Sequence, residues 1–265
     1  MLQTTRMRCC KAVPEIDPLR NALLAALPRV DWNRLRQYLQ RVDAPAGKVL
    51  CEPDARLGYA YFPTSSIISI LRATVDGAST EVASVGNEGV FGATIIMGDH
   101  PDGNRAIVHS GGVMYRLKCE TLIEEFSRGG AMQSLLLRYV QALLGLMAQG
   151  AVCNRRHSID QQLCRWILLS LDRLDSEEII MTHELLANTL GVRREGITEA
   201  ARRLQSAGLI AYRRGRITIV DRRGLEASSC ECYRVVRSEY DQLLDPERSC
   251  GAEAPLPMRS ALTAR

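Results

Sequence analysis

The stretch MTHELLANTLGVRREGITEAARRLQSAGLI, residues 181–210, constrains the fold of this chain more than any other. Its apolar positions Leu186, Ala187, Leu190, Val192, Ile197, Ala200 and Leu204 fit two short helices joined by a tight turn. Thr182 stands where a hydroxyl can accept a hydrogen bond from an orphan amide of the first turn. Gly191 and Gly208 each stand where a left-handed residue ends a helix. Ala187 falls four residues before Gly191, where the two helices cross, and the branched Ile197 falls six after it, in the core. Small, glycine and branched residues at these offsets are the pattern of a helix-turn-helix.

With Ile197, Ala200, Ala201 and Leu204 facing inward, Arg194, Glu195, Thr198, Glu199 and Arg202 occupy the opposite face of the second helix. Arginine can bond guanine O6 and N7 together, and glutamate can accept from the cytosine amino group, so such a face suits the major groove. Pairing along the helix could engage Glu199 with Arg202 or Arg203, but Arg194 and Glu195 have no opposite charge three or four residues away. AYRRGRITIVDRR then reads as a hairpin turning near Arg213, Arg214 and Gly215, a basic wing whose arginines, with Arg216, can reach the flanking phosphates. The segment 193–223 carries +6 within a chain of net charge +4, so the remainder is slightly acidic. Concentrated positive charge on an acidic body is the footprint of a nucleic-acid contact.

The rest of the chain must present this element. At 265 residues, 46% of them hydrophobic, it is long enough for two domains, each with its own core. Residues 1–18, with Pro14 and Pro18, read as a loose tail, as does 245–265. PLRNALLAALPRVDWNRLRQYLQRV has helical spacing broken at Pro28. From Asp43 short β-rich runs (KVL, YAYF, SIISILRATV, TEVASV, AIVHSG, VMYRL) alternate with turns, including those at Asp76-Gly77 and Pro101-Asp102-Gly103, predicting a small barrel or sandwich. A proline-free helix follows, with Met132, Leu136, Tyr139, Leu143, Leu146, Gly150, Cys153 and His157 alternating by four and three, the seam expected of a parallel dimer. SIDQQLCRWILLSLDRL, a further amphipathic helix, opens the second domain. The expected fold class is α+β: a jelly-roll-like β-roll over 19–130, a dimerisation helix over 131–157, and a winged helix-turn-helix domain with a C-terminal helix over 158–244.

On these features the chain resembles the Crp/Fnr family of bacterial transcription regulators over almost its full length. The resemblance implies a cyclic-nucleotide-binding-type β-roll, a homodimer formed through the long helix, a palindromic double-stranded DNA site and RNA polymerase as a partner. It places Arg194 and Glu195 at the family's base-reading pair and Arg193 near a phosphate. Glu199 stands where an arginine is common, which implies a different half-site. The effector is not identified. Ala93 follows Gly92 where nucleotide-binding members carry glutamate, and Asn104-Arg105 replaces an arginine-serine pair, which argues against cyclic AMP.

The nine cysteines fit free thiols in a reducing compartment. Cys9 and Cys10 are adjacent rather than spaced, which argues against the iron-sulfur cluster of Fnr-like members. Cys230-Glu231-Cys232 is a C-x-C pair that could ligate a soft metal or form a redox pair, but a continuous helix would put the two cysteines on different faces, so packing is their expected role and no metal site is expected; Cys153 and Cys164 are expected to pack inside apolar helices. No run of about 18 uncharged apolar residues and no signal peptide is found, so a cytoplasmic protein with no membrane partner is expected. His100, His109, His157 and His183 lack metalloprotease spacing, and no nucleophile elbow, P-loop or dinucleotide fingerprint occurs, so no enzyme is expected. The alternative is a regulatory protein-binding module whose basic segment docks an acidic partner.

Overall fold

The computed structural model describes residues 16–75, 79–98, 103–174 and 176–244. The expected tails at 1–18 and 245–265 fall almost wholly outside these residues, as do Cys9, Cys10, His100 and the turn residues Asp76, Gly77, Pro101 and Asp102.

Pro28 separates helix α1 (Ala22–Ala25) from α2 (Arg29–Leu35), as the proline predicts. The fully buried Asn21 caps α1 through Oδ1 and donates from Nδ2 to the Pro63 and Gly89 carbonyls, pinning the helices to the strands behind them. The helical reading through Val42 is corrected: α2 ends at Leu35, and Gln40–Ala44 is strand β1. Val42 lies opposite Met114, so pairing with a neighbouring strand overrides a local pattern too short to decide between periods.

Strands β2 (Val49–Cys51), β3 (Tyr59–Pro63), β4 (Ile67–Ala73), β5 (Ser79–Val85), β6 (Asn104–Ser110) and β7 (Gly112–Lys118) coincide with the β-rich runs. They form two antiparallel sheets, β1-β7-β3 and β2-β6-β4-β5. Phe62, Ile68, Val85, Met114 and Leu117 fill the core of this roll. Helix α3 (Cys119–Ser127) and the long α4 (Gly130–Arg156) close it with Leu122, Leu136 and Tyr139.

The predicted seam of α4 faces inward. Met132, Leu136, Tyr139, Leu143, Leu146 and Cys153 are buried within their own chain and are therefore not free to form a seam with a second copy. The outward stripe is Ser134, Leu137, Gln141, Leu144, Ala148 and Ala151, again spaced by three and four and flanked by Val152. A heptad repeat reports the polarity of a helix face but not which neighbour covers it. Among the described helices α4 is also the one long and apolar enough to cross a membrane, an outcome of carrying an apolar stripe on both sides.

A Ser158/Gln161 capping box starts α5 (Ile159–Leu171). Strand β8 (Glu178–Ile180), helices α6 (His183–Leu190) and α7 (Arg194–Ser206), strands β9 (Ile210–Arg213) and β10 (Arg216–Ile219), and helix α8 (Arg222–Ser228) complete a second core with α5. The hairpin is thus two strands of a three-stranded sheet, β8-β10-β9. The last helix, α9 (Cys232–Leu244), returns along α4. Its Tyr233 joins the second core, whereas Val236, Tyr240 and Leu243 join the first.

Candidate nucleic-acid interface

The local chemistry of residues 181–219 assembles the corner as the spacing predicts. Thr182 Oγ1 accepts from Leu185 N at 3.2 Å, and Gly191 ends α6 with φ 64°. Most residue types resist that left-handed conformation. Leu186, Ala187, Ile197, Ala200, Ala201 and Leu204 are buried, which turns Arg194, Glu195, Thr198, Glu199 and Arg202 outward to solvent. Arg193 is the N-cap residue of α7 and is also exposed.

The exposed charges divide into two sets. Toward the end of α7, Arg202 donates to Glu199 at 2.8 and 3.1 Å, and Arg203 bonds both Glu199 at 3.1 Å and Asp160 at 2.6 and 2.7 Å. Hydrogen bonding from Arg202 holds the Glu199 carboxyl below its ordinary range. In the wing, Arg216 pairs with Glu178 at 2.9 Å. By contrast Arg193, Arg194, Glu195, Arg213 and Arg214 make no ion pair among the described residues. Uncommitted charge therefore lies at the start of α7 and the tip of the wing. Of the expected reading residues, Glu199 and Arg202 are already engaged with each other.

One network sets the wing beside the exposed face of α7. Thr198 Oγ1 donates to the Arg194 carbonyl at 3.0 Å and stands 3.0 Å from His183 Nδ1, so with that hydroxyl proton on the carbonyl the imidazole is the donor. The His183 ring lies 4.5 Å from that of Tyr212 on β9, whose hydroxyl donates to the Met181 carbonyl at 2.7 Å. Burial and the neighbouring Arg194 push His183 down, which disfavours its charged form. Neither His183 nor Tyr212 is marked by the sequence pattern, because their pairing joins a helix start to a strand far along the chain. The hairpin itself pairs Arg213 with Arg216 across a two-residue turn, with Arg214 at φ 50° and Gly215 at φ 76°. Both positive angles match the twist of a tight hairpin and place the Arg214 guanidinium at its tip.

Among the contacts that seat the domain on the β-roll, three involve named side chains of β5, β6 and the turn after α5. Thr80 of β5 packs on the turn between α6 and α7, where a Cβ on Gly191 would stand 3.1 Å from its methyl carbon. His109 of β6 stacks on Trp166 of α5 with ring centroids 5.1 Å apart. Arg173, buried just after α5, reaches Glu88 at 3.0 Å and donates to Ser84 Oγ at 2.6 Å. Between them lies a cavity of about 320 Å³ lined by Glu81, Arg165, Trp166, Arg173, Gly150 and Thr189 among others. In the roll itself Ala93 is buried, and Arg105 ion-pairs on the surface with Glu52 at 3.1 Å.

Residues 161–228 match the family model of the Crp-like helix-turn-helix domain. The whole fold is similar to that of a transcriptional regulator assigned to the Crp/Fnr family from Eubacterium rectale (TM-score 0.61, 17% identity, covering 80% of this chain and 97% of that one). It is similar also to FixK2 from Bradyrhizobium japonicum (0.60, 15%, 72% and 98%) and to a transcriptional regulator of the CRP family from Thermus thermophilus (0.57, 16%, 72% and 96%). No curated protein matches the chain by sequence.

Proposed function

We propose that this chain, which carries a Crp-like helix-turn-helix domain on the fold of the Crp/Fnr transcriptional regulators, is a homodimeric regulator that reads a palindromic duplex site. The observation that carries the reading is the separation of the charges. Guanidinium groups without an acidic partner cluster at the start of α7 and at the wing tip, and the Thr198, His183 and Tyr212 network holds those two places side by side. Arg194 and Glu195 enter the major groove as the base-reading pair, with Arg193 on a phosphate and Arg213 and Arg214 on the flanking backbone. Glu199 and Arg202 enter as a pair, presenting less net charge than either alone.

The second copy seats on the outward stripe of α4. Leu137 and Leu144 there are 53% and 62% exposed, one heptad apart, with Val152 at 50%. Side chains this apolar and this open on a helix match a coiled-coil partner. A signal received in the β-roll reaches the reading head through the contacts of β5 with Gly191 and of Arg173 with Glu88, and it acts only so far as it binds the two arrangements unequally. RNA polymerase is the partner such a regulator meets at a promoter.

Selection of bound duplexes from a random library by the purified protein tests this reading. The expected result is an inverted repeat whose half-sites lie about one helical turn apart. Retention by acidic polymers generally, with no enriched sequence at any salt concentration, would favour docking to an acidic partner instead.

A further inference from the structure

At the corner where α4 ends and α9 begins, four side chains from distant parts of the chain meet outside both apolar cores. Cys153 lies in the last turn of α4 and His157 is its C-terminal cap, whereas Cys230 and Cys232 flank the entry to α9. The three cysteines are buried to 3% exposure or less and are free thiols. The helix breaks between Ser228 and Cys232, so Cys230 and Cys232 turn to the same side. That corrects the expectation that they point apart, and it also places Cys153 in this cluster rather than in an apolar helix interface.

The donor atoms of the four residues all lie within 4.8 Å of one another. Cys153 Sγ is 3.5 Å from Cys230 Sγ, and Cys232 Sγ is 3.5 Å from His157 Nδ1. A tetrahedral ion bonded to sulfur at about 2.3 Å and to nitrogen at about 2.0 Å sets neighbouring ligand atoms roughly 3.5 to 3.8 Å apart. Two edges of that tetrahedron are thus already near length, and the remaining edges need to close by at most about 1.3 Å. The surroundings are those of a ligand set. His157 Nε2 faces Glu231 at 3.3 Å, an orienting carboxylate that leaves Nδ1 for the ion, and Gln149 Nε2 donates to Cys232 Sγ at 3.0 Å.

We propose that Cys153, His157, Cys230 and Cys232 form a Cys3His site for one tetrahedral soft divalent cation, zinc, that staples α9 to the end of α4. Three thiolates and an imidazole suit zinc rather than magnesium or calcium, which take oxygen ligands. Donors this close enclose a single ion, whereas in an iron-sulfur cluster the thiolates sit on separate irons. All four positions come from the chain and none is open, so the site is structural. Because His157 is also the joint between α4 and α5, the ion fixes the corner from which the helix-turn-helix domain departs.

The test is metal content of the full-length protein purified under reducing conditions, together with cobalt substitution, and neither depends on DNA. The expected result is one zinc per chain. Cobalt in its place should give the intense visible bands of a tetrahedral ion and thiolate-to-metal charge transfer in the near ultraviolet. Cys230→Ser should lower the zinc content at least several-fold, and Cys164→Ser, a buried cysteine outside the cluster, should leave it at one. Native protein that is folded by circular dichroism, carries no zinc and binds no cobalt at micromolar concentration would overturn the proposal. So would cobalt bound without thiolate charge transfer, or a Cys153 to Cys230 disulfide in the reduced preparation.

Discussion

Arg194 and Arg214 are both exposed arginines, and the proposed reading gives them different work. Arg194 stands on the first turn of α7, beside Glu195 and one turn from Thr198, where a groove-reading side chain belongs. Replacing it with alanine should cost about 1 to 3 kcal/mol at one base pair and relax specificity there. Competition binding against a panel of single-base site variants measures this, and equal loss on every sequence would make Arg194 a phosphate contact. Arg214 sits in a left-handed turn at the wing tip. Arg214→Asn keeps a residue that tolerates the backbone while removing the charge, so affinity should fall alike on all sequences and the salt dependence of binding should flatten. Glu199 carries a different lesson: spacing named its possible partners, but only the folded chain shows that it meets Arg202 and Arg203 together and that Asp160, on another helix, shares the load.

At the scale of elements, α4 and the turn after α5 decide how the domains are joined. Leu144 lies at the middle of the outward stripe of α4 and belongs to neither core of its own chain. Leu144→Asp should therefore leave thermal unfolding of the subunit nearly unchanged while converting the proposed dimer to monomer in sedimentation; an unchanged sedimentation coefficient would remove Leu144 from any dimer contact. Arg173 is only 5% exposed and is held by Glu88, Ser84 and, at 5.9 Å, the ring of Tyr240 on α9. Arg173→Met strands the Glu88 charge in a buried setting and should cost roughly 3 to 5 kcal/mol. Adding Glu88→Leu should recover most of that loss in chemical denaturation, since removing both charges leaves neither uncompensated. A double variant no more stable than the single would mean that Arg173 acts through packing alone. Helical and strand periods made most of these elements legible, because each depends on neighbours a few residues away. Strand β1 and strand β8 were not legible, since each is short and held by pairing with a strand remote in sequence.

Across the whole molecule the contact between β-roll and winged domain holds two groups with opposed pH responses. Burial pushes the Glu81 carboxyl up to about 7, against hydrogen bonding from Ser69 and the nearby Arg173 and Arg165. Burial pushes His109 down to about 4, and neither ring nitrogen has a hydrogen-bond partner among the described residues. As pH rises from about 4.5 to about 7, the folded chain keeps a proton at Glu81 that the unfolded chain has released, so that group withdraws stability over this window. As pH falls from about 6.5 to about 4, the unfolded chain takes a proton that His109 refuses, so that group withdraws stability in the other direction. The two slopes offset one another in the native protein. Glu81→Gln should expose the second, its Tm gaining on the parent between about pH 4.5 and 7. A constant difference across that range would show that Glu81 ionises alike in both states.

Local sequence sets most of the elements and the polarity of their faces. The corner of α6 and α7, the glycine that ends α6, the outward arginines and the strands of the roll follow from local periods and from the few residues that tolerate special backbone angles. Tertiary structure decided what covers each face and which distant groups meet. Both stripes of α4 have heptad spacing, and only packing shows that the one with Tyr139 is closed by the chain's own core while the one with Leu144 stays open. Cys153 and His157 lie more than seventy residues from Cys230 and Cys232, and no period links them. They meet because α9 folds back along α4, burying Val236, Tyr240 and Leu243 on the first core, and long-range apolar burial of that kind leaves no local mark in a sequence.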